Sequence, residues 1–265
     1  MSAPLRSLNV VRSVSAPVFF RDAAAAADTL ATLDIAFAPF GTWYEINSWF
    51  EGDFMESVQR GAFAKTISER GPGGFKVLFN HGHGAIPGRQ VLGVPTAVVE
   101  SKASPIGTVP LFDTSYNRDL LPGLRAGAYG SSFMFEVLAH NWVDEPGTSD
   151  HNPKGIPERT ITEVRLHEFG PVTWPANPSA TATVLSQTDE WYAELAKRDA
   201  RSVTELRSSI ERSRTLTQPP AADAPESDGS AALTDHDRAG TSTRSGITPA
   251  QRRAELIRLR ERTYS

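Results

Sequence analysis

At 265 residues, with 39% hydrophobic and 22% charged residues, the chain can form one well-packed domain of roughly 100–200 residues plus extra segments, or two small domains. A formal charge of -4 and a pI near 5.9 give no electrostatic reason to expect nucleic acid or an anionic membrane as the main partner, and a mean hydropathy of -0.32 implies that part of the chain is polar and unpacked. The lack of cysteine excludes disulfides, zinc thiolate sites and cysteine nucleophiles, which leaves Ser, Thr, His and carboxylates for any catalysis.

Residues 1–31 mix Ser, Pro, Arg6 and Arg12 with an alanine run at 23–27, show no sustained period, and read as a mobile N-terminal arm. The apolar stretch at 14–20 is short and is followed at once by Arg21 and Asp22, which spoils a secretory core. No apolar run approaches the roughly 18 residues of a membrane span, so a soluble, non-exported protein is expected.

Order begins where Leu33, Ile35 and Phe37 alternate with small or polar residues, the period of a half-buried strand. From 32 to 186 the chain reads as short strands and turns. Strands are expected at 75–79, between Gly71-Pro72-Gly73-Gly74 and Gly82, and at 91–99, 109–112, 129–138 and 160–174, with Pro171 and Pro175 marking an end or edge of the last. Helical insertions are expected at 61–70 and 117–121. Many short strands with few helices predict a mainly β barrel or sandwich with peripheral helices.

Composition changes after Ser186. Residues 187–214 place Trp191, Leu195, Val203, Leu206 and Ile210 in an irregular helical stripe among many charges. Residues 215–247, rich in Pro, Ala, Ser, Thr, Asp and Gly, cannot bury enough apolar surface to offset chain entropy and read as a disordered linker. Residues 248–265 then form a short basic helix, with Thr248 as N-cap and Pro249 in the first turn.

Three segments carry residues suited to chemistry. In Gly130-Ser131-Ser132-Phe133-Met134-Phe135, strand alternation presents Ser132 on the face opposite Phe133 and Phe135; alone, the segment also fits a barrel strand with a satisfied hydroxyl. Asn80-His81-Gly82-His83-Gly84 ends an apolar strand, and a histidine there can take a proton from a serine hydroxyl and return it to a leaving amine. His81 and His83 could instead share a metal, although Gly82 and Gly84 weaken that geometry and His140, His151, His167 and His236 add no ligand spacing. The third segment, Glu163-Val164-Arg165-Leu166-His167-Glu168, offers three groups able to orient a catalytic base. Alternation sets Glu163 and His167 on one face and Glu168 on the other unless a bulge intervenes.

Together these segments resemble the prohead serine protease family of tailed bacteriophages, over about residues 35–184. The ordered elements are Gly61-Ala62-Phe63, Asn80-His81, Gly130-Ser131-Ser132-Phe133-Met134-Phe135, Leu166-His167-Glu168 and Val172-Thr173-Trp174-Pro175-Ala176-Asn177-Pro178. The chain departs from the family pattern at Ser131, where Met is frequent, at Met134, where Gly is frequent, and at Gly82, where an acidic residue is common. The resemblance implies a closed β-barrel flanked by helices, similar to the herpesvirus assembly protease, in residues 32–186. It also implies a serine endopeptidase without a cofactor, with Ser132 as nucleophile, His81 as base and Glu168 as third member, His167 being the rival.

The implied partners are the major capsid protein with its scaffold region, the portal protein, and further copies of the chain inside the procapsid, assembled in the host cytoplasm, with self-cleavage. The tail after Ser186 would dock on capsid or scaffold. The rival readings are a catalytically silent scaffolding protein and a metal-dependent hydrolase using His81 and His83.

Overall fold

The computed structural model describes residues 8–15, 18–22, 29–82, 91–173 and 184–217. The linker at 215–247 falls almost wholly outside these residues. His83, the segment at 174–178 and the basic helix at 248–265 fall outside them entirely.

The strands are β1 (Val10–Val14), β2 (Val18–Asp22), β3 (Thr29–Ala36), β4 (Tyr44–Ser48), β5 (Gly52–Val58), β6 (Lys76–Val77), β7 (Ala97–Glu100), β8 (Pro105–Phe112), β9 (Gly130–Val143), β10 (Glu158–Val172) and β11 (Val184–Ser186). The helices are α1 (Ala64–Arg70), α2 (Ser115–Arg125), α3 (Thr188–Ala196) and α4 (Ala200–Thr217). One sheet runs β11-β1-β9-β10-β5-β4, with β6 paired to β10 beyond β5; the other runs β2-β3-β8-β7.

The alternation of Leu33, Ile35 and Phe37 does what its period demands, and all three are fully buried. They meet Phe133, Phe135, Leu166 and Phe169 of the larger sheet in one core. The Phe37 and Phe169 rings stack at 4.8 Å, and Phe63, just before α1, meets Phe37 edge-on at 5.6 Å. Aromatic pairs of this kind contribute about 0.5–1.5 kcal/mol beyond their buried area.

The expected closed β-barrel is not what the chain forms: neither sheet closes on itself. The larger sheet curls far enough for Arg12 of β1 to reach Glu56 of β5 at 2.8 Å, yet its edge strands β4 and β11 share no ladder. Side chains occupy that seam. Glu51 accepts from Arg12 and from Thr188 Oγ1 (2.7 Å), while Asp189 accepts from Ser48 Oγ (2.6 Å) and the Trp49 amide (2.8 Å). Connecting segments between the sheets make single bridges, Leu78 with Val91, Gly93 with Leu111 of β8 and Phe40 with Val58 of β5. Pro105 and Pro110 in β8 also lack the N–H donors a continuous ladder would need. Strand closure requires every edge group to find a backbone partner; here side-chain acceptors take that place.

Three further expectations change. The N-terminal arm contains β1, whose Val10, Val11, Arg12 and Val14 are buried between β9 and β11, and β2, an edge of the second sheet. Val10-Val11-Arg12-Ser13-Val14 has no period-two alternation, and so short a run gave too little signal against the Ala and Pro around it. The strand at 75–79 shrinks to Lys76–Val77, because the chain turns into a 3-10 turn at Asn80–Gly82. The single helix at 187–214 is two helices; Asp199 accepts from the Ser202 amide at 3.1 Å and starts the second.

Candidate active site

Ser132 is placed by strand parity. Its neighbour Ser131 donates to the Ala36 carbonyl at 2.5 Å, toward the second sheet, so Ser132 turns to the opposite face, as do Met134 and their β10 partners. Ser132 is 2% exposed. Its Oγ stands 2.6 Å from His81 Nε2 and 2.8 Å from the Arg12 carbonyl oxygen of β1.

His81 is placed by a turn that costs energy. Asn80 (φ 46°) and His81 (φ 56°) are consecutive non-glycine residues in the left-handed region, at about 1–2 kcal/mol each. The turn holds because Asn80 pairs twice with Thr173: Oδ1 accepts from the Thr173 amide at 2.8 Å and Nδ2 donates to Thr173 Oγ1 at 3.1 Å. Gly170 makes the approach possible, since a Cβ there would lie 1.9 Å from the Leu78 carbonyl oxygen. The turn is thus stitched to the end of β10, where Gly170 pairs with Ser132.

Glu168 is placed by a bulge. Leu166 pairs with Phe135 and Glu168 with Met134, so His167 is an extra residue on β10. In a regular, unbulged strand Leu166 and Glu168 would share a face. With the bulge, Leu166 and Phe169 both enter the core, and Glu168 joins Met134 on the Ser132 face. Its Oε1 hydrogen-bonds His81 Nδ1; the two side chains are only 8% and 3% exposed. The rival His167 lies against Glu136, Nε2 to Oε1 3.3 Å, and Glu163 pairs with Lys65 at 2.8 Å. Neither approaches the imidazole face that Glu168 occupies.

Burial disfavours a charged His81 ring, but the charge and hydrogen bond of Glu168, with a side-chain hydrogen bond to Gln187, outweigh it and raise the His81 pKa above its ordinary value. A neutral ring with its proton on Nδ1, toward Glu168, leaves Nε2 free to accept from Ser132. Hydroxyl, imidazole and carboxylate then stand in line, the geometry that a nucleophile, a base and an orienting group require.

Two features gave no sequence signal. A cavity of about 260 Å³ opens beside His81, lined by Asn80, Val172, Gln187, Glu190, Trp191 and Glu194. Its outer wall is α3, which composition alone marks only as an amphipathic helix. Behind β1, Arg12, Glu51, Glu56 and Arg159 form a buried charge cluster joined by the Tyr44 hydroxyl, which donates to Glu56 at 2.8 Å. Two arginines and two glutamates that lie scattered along the sequence cannot be matched without the register. Among the described residues no cluster of three or more His, Asp or Glu could hold a metal ion, and no helix is long and apolar enough to cross a membrane.

The description "caudovirus prohead serine protease" matches residues 27–194, well over half of the chain, and the chain belongs to that family. It is therefore a peptidase of capsid maturation in tailed bacteriophages. Among solved structures it is similar to the capsid assembly protease of bacteriophage T4, at 10% identity and a TM-score of 0.42, over 64% of this chain and 99% of that one. No curated protein matches.

Proposed function

We propose that the chain is a serine endopeptidase in which Ser132 is the nucleophile, His81 the general base and Glu168 the residue that orients it. The observation that carries this reading is the line of hydrogen bonds from Ser132 Oγ to His81 Nε2, at 2.6 Å, and from His81 Nδ1 to Glu168. Ser132 attacks the peptide carbonyl while His81 takes its proton. The imidazolium, stabilised by Glu168, returns that proton to the leaving amine, and an acyl-enzyme remains. Water then attacks the acyl carbonyl while His81 takes its proton, and His81 returns that proton to Ser132 Oγ as the ester bond breaks and the acid leaves.

The substrates that fit a capsid-maturation peptidase are the scaffold region of the major capsid protein and the chain itself, inside the procapsid assembled in the host cytoplasm, with portal protein and further copies of the chain as neighbours. The test is co-expression with the major capsid protein, comparing wild type with Ser132→Ala by mass spectrometry. Loss of the capsid-protein fragments in the variant is the expected result. Identical fragments in both would remove the serine mechanism, and no fragments in either would favour a silent scaffolding role.

A further inference from the structure

The Ser132 hydroxyl has one proton and two acceptors within reach, the His81 ring and a main-chain oxygen on β1. We infer that Arg12 is a positioning residue for the reaction. Its carbonyl oxygen holds the Ser132 hydroxyl whenever the His81 ring is charged, and its buried guanidinium fixes that oxygen in place. The inference rests on the assignment of Ser132 and His81 proposed above.

The proton arithmetic is simple. With His81 charged, Nε2–H donates to Ser132 Oγ, and the hydroxyl proton can go only to the Arg12 oxygen, 2.8 Å away. When the ring loses its Nε2 proton to solvent, Nε2 becomes an acceptor and the same hydroxyl proton swings to it. The first arrangement is a resting state and the second is ready to attack. Arg12 therefore stabilises the resting state without touching substrate.

The carbonyl can do this only if β1 does not move. Directly paired residues share a face, and Arg12 pairs with Phe133, so its side chain leaves the sheet on the side opposite Ser132. There the guanidinium is fully buried and forked on Glu51 (2.8 and 2.7 Å), with Nε donating to Glu56 (2.8 Å) and Nη1 to Thr188 Oγ1 (3.1 Å). Arg159 completes the charge balance of the two carboxylates. A fork of this geometry is specific to arginine; lysine offers the charge without the two parallel donors.

The charged groups around the ring are otherwise accounted for. Glu168 of β10 hydrogen-bonds it, Glu190 and Glu194 of α3 line the adjoining cavity, and the Arg12 charge behind Ser132 is offset by Glu51 and Glu56.

The experiment measures the rate at which a fluorophosphonate reagent modifies Ser132 in the full chain, as a function of pH. Arg12→Lys keeps the charge but loosens the carbonyl, which weakens the resting state. The midpoint of its pH–rate profile falls by roughly half to one unit, the size expected for losing one hydrogen bond. Thr188→Val, which removes one partner of the guanidinium together with the acceptor of the Val11 amide, gives a smaller fall and serves if Arg12→Lys does not fold. Val14→Ala loosens β1 by lost packing alone and leaves the midpoint where it was.

A lower plateau with an unmoved midpoint in both Arg12→Lys and Thr188→Val would mean a merely structural role and overturn the inference. So would an equal shift in Val14→Ala. Failure of the wild type to be modified at Ser132 would instead strike the proposed mechanism.

Discussion

The two faces of the larger sheet around β1 and β9 carry polar clusters of opposite character. On one face stand Ser132, His81 and Glu168; His81 opens onto a cavity from a backbone turn held in the left-handed region, and a carboxylate oxygen of Glu168 has no hydrogen-bond partner. On the other face Arg12, Glu51, Glu56 and Arg159 are sealed, and each carboxylate is engaged by two arginines. Burial is similar in both, so burial does not separate chemistry from scaffolding. What differs is whether the cluster satisfies itself. The sealed cluster is charge-balanced, and the low dielectric around it makes its loss costly. The open one retains strain and an unfilled acceptor, the condition in which a proton can still move.

The contrast yields five measurements. Glu168→Gln should lower kcat/KM by about ten-thousand-fold, as loss of the orienting carboxylate does in serine peptidases, while leaving the melting temperature near that of wild type. His167→Gln, in parallel, should stay within about threefold, because it touches neither His81 nor Ser132; equal losses would reverse the roles given to the two residues. Glu56→Ala should act the other way round. Removing one member of the sealed cluster leaves Arg12 and Arg159 to share Glu51, an unbalanced buried charge, and should cost about 3–5 kcal/mol in urea unfolding. An unchanged unfolding midpoint would show that the cluster contributes nothing to stability.

Gly170→Ala sits between the two extremes. Its Cβ collides with the Leu78 carbonyl, so the strand leading to His81 must move; activity should fall by at least about tenfold with a smaller loss of stability, read from paired kinetic and thermal measurements. The smallest effect is that of pH. His81 is held above its ordinary pKa, so its charged form stabilises the fold fully below about pH 6.5, and that contribution disappears as pH rises through the raised value. With His81 as the proposed base, activity should rise over the same interval as the ring becomes neutral. Opposite slopes for activity and stability are expected, and Glu168→Gln should flatten the stability slope.

The core strands could be read directly from the residues. Period-two burial at Leu33, Ile35 and Phe37, and the small-to-large run into Phe133 and Phe135, place them in a sheet interior, because alternation obliges one side of each strand to face apolar partners. The helices at Ala64–Arg70 and Ser115–Arg125 lie where insertions between strands were expected. β1 was illegible for the opposite reason. Five residues with an arginine in the middle look like a tail until Glu51 and Glu56 are found to receive it.

The site divides in the same way. Residue types and their order along the chain already supply a serine, a histidine and three candidate carboxylate or imidazole partners, since that information is local. The choice of face between His167 and Glu168 depends on one extra residue in a ladder, and ladder register is a property of two strands together. The open seam between β4 and β11 is likewise a matter of what meets across a gap. Short-range pattern is written in consecutive residues. Register, bulges and charge pairing exist only between segments far apart in the chain, and they come into being when it folds.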